Sequence, residues 1–347
     1  MTTILSRFGV AGTGRFLWDE PMTHSSSSSI QIAITDMAHG GDGIGRIDGM
    51  VCFVAGALPD EVVRVQVYRK TKNALWGRLQ EIVVPSKFRI PNASCCGRPC
   101  AATCLWHDFA YPAQASWKQQ IVAESIRRIG RINTEVTFVE NHTMRHGYRT
   151  RAVFHGDGVH LGYYARRTHT VIPLSDCPLN HQKLNKVLQA IKPLALYGNI
   201  HVTINPEGEE TLVCMGKPPR KLRELFPLTN SFNDRSRHQF IFDGTPVVNG
   251  TFSQASLVLN RMLRRETDKR IGKAKSLLDL YCGNGNLSLH HVSSCDVVGV
   301  DHAVAAIEAA NTMAENVYRQ GSEAQMATLI KDRCWDVILL DPPRIGA

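Results

Sequence analysis

The first stretch of this chain that could do chemistry is Asp279-Leu-Tyr281-Cys-Gly283-Asn-Gly285-Asn286, which begins inside the apolar run SLLDLY (276–281). Glycines just past such a run let the backbone approach a ligand closely at the start of a helix. A dinucleotide fingerprint would need a third glycine where Ser288 stands, which argues against NAD. Asp301 ends the next apolar run, DVVGVD, 22 residues after Asp279, a placement that suits hydrogen bonds to ribose hydroxyls. A second constellation, Asp341-Pro342-Pro343-Arg344, follows WDVILL. Two prolines there make a rigid turn that aims the preceding carboxylate into a cleft, where it could hydrogen-bond the edge of a flipped-out base.

A third constellation is Cys95-x4-Cys100-x3-Cys104, with Cys177-Pro178 after 72 intervening residues. Structural zinc prefers paired Cys-x2-4-Cys spacings. Three clustered thiols and a remote one followed by proline favour a 4Fe-4S cluster, with zinc and unligated cysteines as the alternatives. Cys96 is a spare or competes with Cys95. The other five cysteines (Cys52, Cys214, Cys282, Cys295 and Cys334) stand in apolar or strand contexts and read as packing residues.

Three kinds of element must position these groups. From Ile30 to about Ser86, short alternating runs separated by Gly-rich and Pro-Asp turns read as a small closed barrel of the OB kind. Such barrels often bind single-stranded nucleic acid, and Arg64, Arg69, Lys70, Lys72 and Arg78 would supply charge; a structural cap is the other reading. Residues 90–235 mix the cysteines, a helix over Gln114–Ile129 and further strands. There Arg145, Arg149, Arg151, Arg166 and Arg167 interleave with Tyr148, Tyr163 and Tyr164, a pattern for stacking on unpaired bases or for a solvated face. From about residue 250, strands at 276–281, 296–301 and 335–341 alternate with helices, including an Ala-rich one over Val304–Glu315. That alternation predicts a parallel sheet with ligands at its C-terminal edge.

Composition agrees with a folded chain of several domains: 347 residues, 43% apolar and 20% charged. The longest apolar stretch, around VCFVAGAL, is far short of the roughly 20 residues of a membrane helix. The N-terminus lacks a signal-peptide pattern, so the expected location is the cytoplasm. In that reducing compartment the cysteine cluster reads as metal-binding, not as a disulfide framework. The net charge of +9 is uneven: residues 276–347 hold nine acids and four bases, and residues 1–275 hold 36 bases and 22 acids. A basic front beside an acidic back suits a polyanion-binding part joined to a part with another task.

The Asp-x3-Gly-x-Gly turn followed by an acid ending the second strand resembles the S-adenosylmethionine fold. In order, these residues resemble the RNA uracil-C5-methyltransferase family, in its TRAM-domain, iron–sulfur form that modifies 23S ribosomal RNA. The resemblance runs from about Ile32 to Gly346. It rests on IAITDMAHGGDGIGRIDGMVCFVAGALPDE, the cysteine segment leading into Tyr111-x2-Gln114-x3-Lys118, GYYARRTHTVIPLSDCPL, FSQAS (252–256), LLDLYCGNGN, VVGVD and LLDPPRIG. It implies an α/β multidomain chain with an N-terminal OB-like TRAM barrel, a central α+β iron–sulfur domain and an incomplete Rossmann-like S-adenosylmethionine-dependent methyltransferase domain. The expected segments are a leader at 1–29, the barrel at 30–88, the central domain at 89–240 and the methyltransferase domain at 241–347. The resemblance further implies cluster ligands at Cys95, Cys100, Cys104 and Cys177, and cofactor contacts from Gln254, Tyr281, Asn286 and Asp301. Asp341 would sit at both cofactor and target uracil. RNA is the expected partner, 23S ribosomal RNA ahead of tRNA, with no membrane and a monomeric chain.

This sequence departs from the family in four ways. The middle cysteine and His107 fall one place early, and Ser256 replaces the asparagine of the family's FxQxN. The stretch between Asp301 and Asp341 is several residues short. Family enzymes add a cysteine thiolate at C6 of uracil and remove the C5 proton with a carboxylate; both groups would lie beyond Ala347, so the chain is expected to be truncated. Cys282 and Cys334 stand at structural positions and are poor substitutes. The alternative is a catalytically inactive RNA-binding iron–sulfur protein. An amino-group methyltransferase would have an aromatic residue where Arg344 stands.

Overall fold

Alternating apolar residues between Ile30 and Val84 close a five-stranded barrel, in a computed structural model that describes residues 29–91 and 104–343. Its strands are β1 (Ile30–Met37), β2 (Gly43–Ile47), β3 (Met50–Val54), β4 (Val62–Lys70) and β5 (Ala74–Val84), paired in the order β1-β2-β3-β5-β4. The inward positions Ile32, Ile34, Cys52, Val54, Val63, Val65 and Leu75 form its core. Gly45 is dictated by space, because a Cβ there would stand 2.6 Å from the Ala33 carbonyl oxygen. Irregular register between β4 and β5 supplies the extra twist that closure needs.

Contacts divide the described residues into two units. One holds the barrel, the residues up to His142 and the segment Tyr164–Ile172; the other holds Thr143–Tyr163 and the residues from Pro173 onward. The central segment 89–240 is thus shared between them.

In the barrel unit, a fully buried Glu61 accepts hydrogen bonds from the Leu58 amide at 2.8 Å and from Arg89 Nε at 2.6 Å. Arg89 also pairs with Asp108. Helix α1 (Tyr111–Ile129) begins where proline occupies its first turn. Gln114 on it donates to the Trp106 and Phe109 carbonyls at 3.0 and 2.7 Å. Arg166 and Arg167 converge on the buried carboxylate of Asp42. These two arginines therefore hold the segment 164–172 instead of forming a free basic surface.

A mixed sheet follows in the chain, made of β6 (Arg151–Asp157), β7 (Leu161–Tyr164), β8 (Val171–Pro173), β9 (Tyr197–Ile204), β10 (Thr211–Met215) and β11 (Thr229–Ser231), in the order β11-β10-β9-β6-β7-β8. Helices α2 (Gln182–Ile191) and α3 (Arg220–Leu225) interrupt it in sequence, giving the expected α+β character. Tyr163 stacks on Phe154 with ring centres 5.6 Å apart, and its hydroxyl donates to Asn180, so it is a packing residue here. A hairpin of β12 (Gln239–Phe242) and β13 (Thr245–Val248) leads to α4 (Leu257–Ile271).

The parallel sheet follows: β14 (Ser276–Leu280), β15 (Asp296–Asp301), α5 (Val304–Met313), β16 (Tyr318–Gln320), α6 (Glu323–Asp332) and β17 (Val337–Leu340), in the order β16-β15-β14-β17. The three sequence-predicted strands are present. β16 is an addition, too short for periodicity to reveal. Among the five cysteines expected to pack, Cys52, Cys214 and Cys282 are buried and Cys295 is half-buried. Cys334 is exposed, which corrects that expectation: it lies in the turn between α6 and β17, outside either element's apolar face. Among the described residues no helix is long and apolar enough to cross a membrane.

Candidate active site

The turn after β14 is built from unusual backbone. Tyr281, Gly283 and Gly285 have φ of +61°, +55° and +75°. Gly285 cannot be larger, because a Cβ would lie 2.8 Å from the Tyr318 hydroxyl. Asp301, at the end of β15 and 6% exposed, accepts from the Gly283 amide through Oδ2 and from the Ala303 amide through Oδ1, both at 2.8 Å. The acid at the end of the second strand thus fastens the turn at the end of the first.

Gln254, Tyr281, Asn286 and Asp341 line one cavity at this edge, together with Asp279 and Phe252. Asp341 follows β17, and its amide donates to the Leu280 carbonyl at 3.4 Å, which brings it beside the turn. Asn286 exchanges side-chain hydrogen bonds with Asn260 of α4 at 2.6 and 3.1 Å. Gln254 stands just before α4, whose N-cap is Ser256: the Ser256 hydroxyl accepts from the Leu259 amide at 3.1 Å. Serine and asparagine both cap well, so a serine keeps the cap at the place where the family has asparagine. Asp301 does not line the cavity; it lies behind the turn.

The strongest electrostatic feature is Asp279, which the sequence places in the motif without giving it a role of its own. Its carboxyl is 2% exposed and Oδ2 has no hydrogen-bond partner. Burial pushes its pKa up to about 7, Asp341 and Asp301 add to the rise, and a hydrogen bond with Ser288 opposes it. A carboxyl that costly to ionise beside a cavity is a candidate functional group. Cys282 also lines the cavity, but burial, with Asp279 and Asp301 adding, pushes its thiol far above the ordinary range. It is a packing thiol, not a thiolate.

The hairpin residues Phe242, Asp243, Thr245 and Val247 complete the wall, and no motif signals them in the sequence. Phe252 is 70% exposed, with the Arg151 guanidinium 5.5 Å from its ring centre. Of the expected cluster ligands, Cys177 is buried, and its backbone is held by Asn185 through N–H···Oδ1 at 3.2 Å and C=O···Nδ2 at 3.0 Å. Cys104 is half-buried, and its carbonyl accepts from the His107 amide at 3.3 Å. Cys95, Cys96 and Cys100 lie outside the described residues.

Residues 28–79 match the model of the TRAM domain. An uncharacterised RNA methyltransferase of Thermosynechococcus vestitus is 27% identical over 92% of this chain and 84% of its own length. Another, of Gloeobacter violaceus, is 27% identical over 94% of this chain and 84% of its own length. Among solved structures, the Pyrococcus abyssi tRNA (uracil-54, C5)-methyltransferase in complex with S-adenosyl-L-homocysteine shares the fold, with a TM-score of 0.66 at 17% identity over 91% of this chain and 84% of that one. With a TRAM barrel in front and the ordered motifs gathered at one sheet edge, the chain is similar along nearly its whole length to RNA methyltransferases and shares its fold with a tRNA uracil-C5-methyltransferase.

Proposed function

We propose that this protein methylates C5 of a uridine in RNA, using S-adenosylmethionine, and that 23S ribosomal RNA is its substrate. The observation that carries this reading is the meeting of Gln254, Tyr281, Asn286 and Asp341 around one cavity beside the glycine turn. The residues present fit the cofactor: the turn brings backbone close to the cavity, and the orphaned Oδ2 of Asp279 awaits a cationic group such as an amino-acid ammonium. When bound, the cofactor supplies an electrophilic methyl group on sulfur.

The chain's own side chains would then act as follows. Tyr281, Gln254 and Asn286 would position the cofactor, Asn286 being fixed by Asn260. Asp301 would serve through the turn that it holds, and its carboxylate keeps lone pairs for a ribose hydroxyl. Asp341 would accept from the uracil edge at the cofactor. Carbon 5 of uracil is a weak nucleophile, so a thiolate must form a bond to C6, giving an enolate whose C5 takes the methyl. A base then removes the C5 proton and the S–C6 bond breaks. Cys282 is unsuited to that thiolate role for the reason given above. Cys95, Cys100, Cys104 and Cys177 would hold a 4Fe-4S cluster that organises the central segment. The protein would work as a monomer in the cytoplasm.

The test is tritium release from RNA labelled at uridine C5, with 23S ribosomal RNA and tRNA as separate substrates. Release from ribosomal RNA supports the full reading; release from tRNA alone overturns the substrate assignment. RNA binding with no release and no methyl incorporation from either would instead support the non-catalytic iron–sulfur alternative. Loss of iron and sulfide in Cys104→Ala, with weaker RNA binding, is expected; unchanged metal content would refute the ligand assignment.

A further inference from the structure

Two consecutive histidines follow the glycine turn, and both ring nitrogens point at one carboxylate oxygen. Asp268 lies in the last turn of α4, and His290 and His291 form a 3-10 turn over Leu289–His291. His290 Nε2 is 2.8 Å and His291 Nε2 is 3.0 Å from the same Asp268 Oδ1. The ring centres lie 4.1 Å apart, with the planes tilted by 40°.

We propose that Asp268, His290 and His291 bind a divalent first-row metal ion of the Zn(II) type. Two imidazole nitrogens and one carboxylate oxygen are a donor set suited to such an ion, with a further position left for water. Metal–ligand bonds of about 2.0–2.1 Å in a tetrahedral site put ligand atoms about 3.3 Å apart. The three ligand atoms here already lie within 4.8 Å of one another, and two of the separations are 2.8 and 3.0 Å, so small side-chain shifts would admit the ion. The side chains are 15% (His291), 29% (His290) and 37% (Asp268) exposed, open enough for a water ligand. The Arg264 charge near His290 tempers the site's affinity for a cation.

The ion would act as a strap. It would join the end of α4 to the segment that follows the cavity turn, on the same helix that carries Asn260 against Asn286. The site uses none of the cysteines as ligands, and metal binding here does not depend on the methyl-transfer reading.

The test is Co(II) uptake by the whole wild-type chain and by a His290→Ala/His291→Ala variant with the same cysteines. Wild type should take up one more equivalent than the variant, and the extra visible absorption should lack a thiolate-to-cobalt charge-transfer band. Equal uptake, or a difference spectrum dominated by thiolate bands, overturns the proposal. Asp268→Asn covers a variant that fails to fold, because it keeps an acceptor at Oδ1 and removes only the charge. It should bind Zn(II) at least ten-fold more weakly and lose the Zn(II)-dependent rise in melting temperature. Unchanged affinity in Asp268→Asn would equally refute the site.

Discussion

At the scale of single residues, Asp279 decides how the cavity responds to pH. Its raised pKa means that the unfolded chain gives up this proton near pH 4 while the folded chain keeps it to about pH 7. The stabilising contribution is therefore full below pH 4, falls as pH rises through that window and is gone above it. Asp279→Asn should remove this fall and stabilise the ligand-free protein at pH 8 by about 2–4 kcal/mol, since one pKa unit is worth ~1.4 kcal/mol. Urea denaturation at pH 5 and pH 8 reads it; an equal slope between the two pH values in both proteins would contradict the burial argument. The same variant should lose S-adenosylmethionine affinity if the carboxylate meets the cofactor's cation.

Elements carry two further expectations. Ser256 opens α4 and so sets where Gln254 meets the cavity. Ser256→Ala should cost about 1 kcal/mol, whereas Ser256→Asn should be close to neutral because both residues cap well. Thermal unfolding of the two variants tests the reading of that family departure. In the barrel, Glu61 is buried against Arg89 and ties the 58–61 turn to the chain leaving β5. Glu61→Gln leaves Arg89 with only part of its countercharge and should cost about 3–5 kcal/mol. Native-state hydrogen exchange at β1 and β4 amides would report it, and unchanged protection would show the pair to be dispensable.

For the whole molecule, the uneven charge governs the RNA partner. Residues 1–275 hold 36 bases against 22 acids, so phosphate contacts should release counterions on binding. RNA affinity should drop at least ten-fold between 50 and 200 mM salt, at the lower end of the range for a protein with several phosphate contacts, about 10–10^3-fold. Fluorescence anisotropy measures this directly, and a flat response would argue against a basic RNA surface. Not every base contributes: Arg166 and Arg167 are consumed by Asp42, and Arg64 pairs with Glu81, whereas Arg69 and Arg78 lie over the rings of Trp76 and Tyr68 on the barrel.

What the sequence determines by itself is local. Alternation gives the barrel strands, apolar runs ending in acids give β14 and β15, and glycines at 283 and 285 give the turn, because side-chain period and backbone sterics act over a few residues. The family resemblance of the motif strings, not local physics, points to Gln254, Tyr281, Asn286, Asp301 and Asp341. Only the tertiary structure puts four of these around one cavity and the fifth behind it. It also spends the arginines of 166–167 on a carboxylate over a hundred residues earlier, and leaves one oxygen of Asp279 unpartnered. Which charged groups meet, and which are stripped of water, depends on long-range packing that no local period encodes. For that reason the walls from β12 and β13, and the histidine pair facing Asp268, became visible only once the chain was folded.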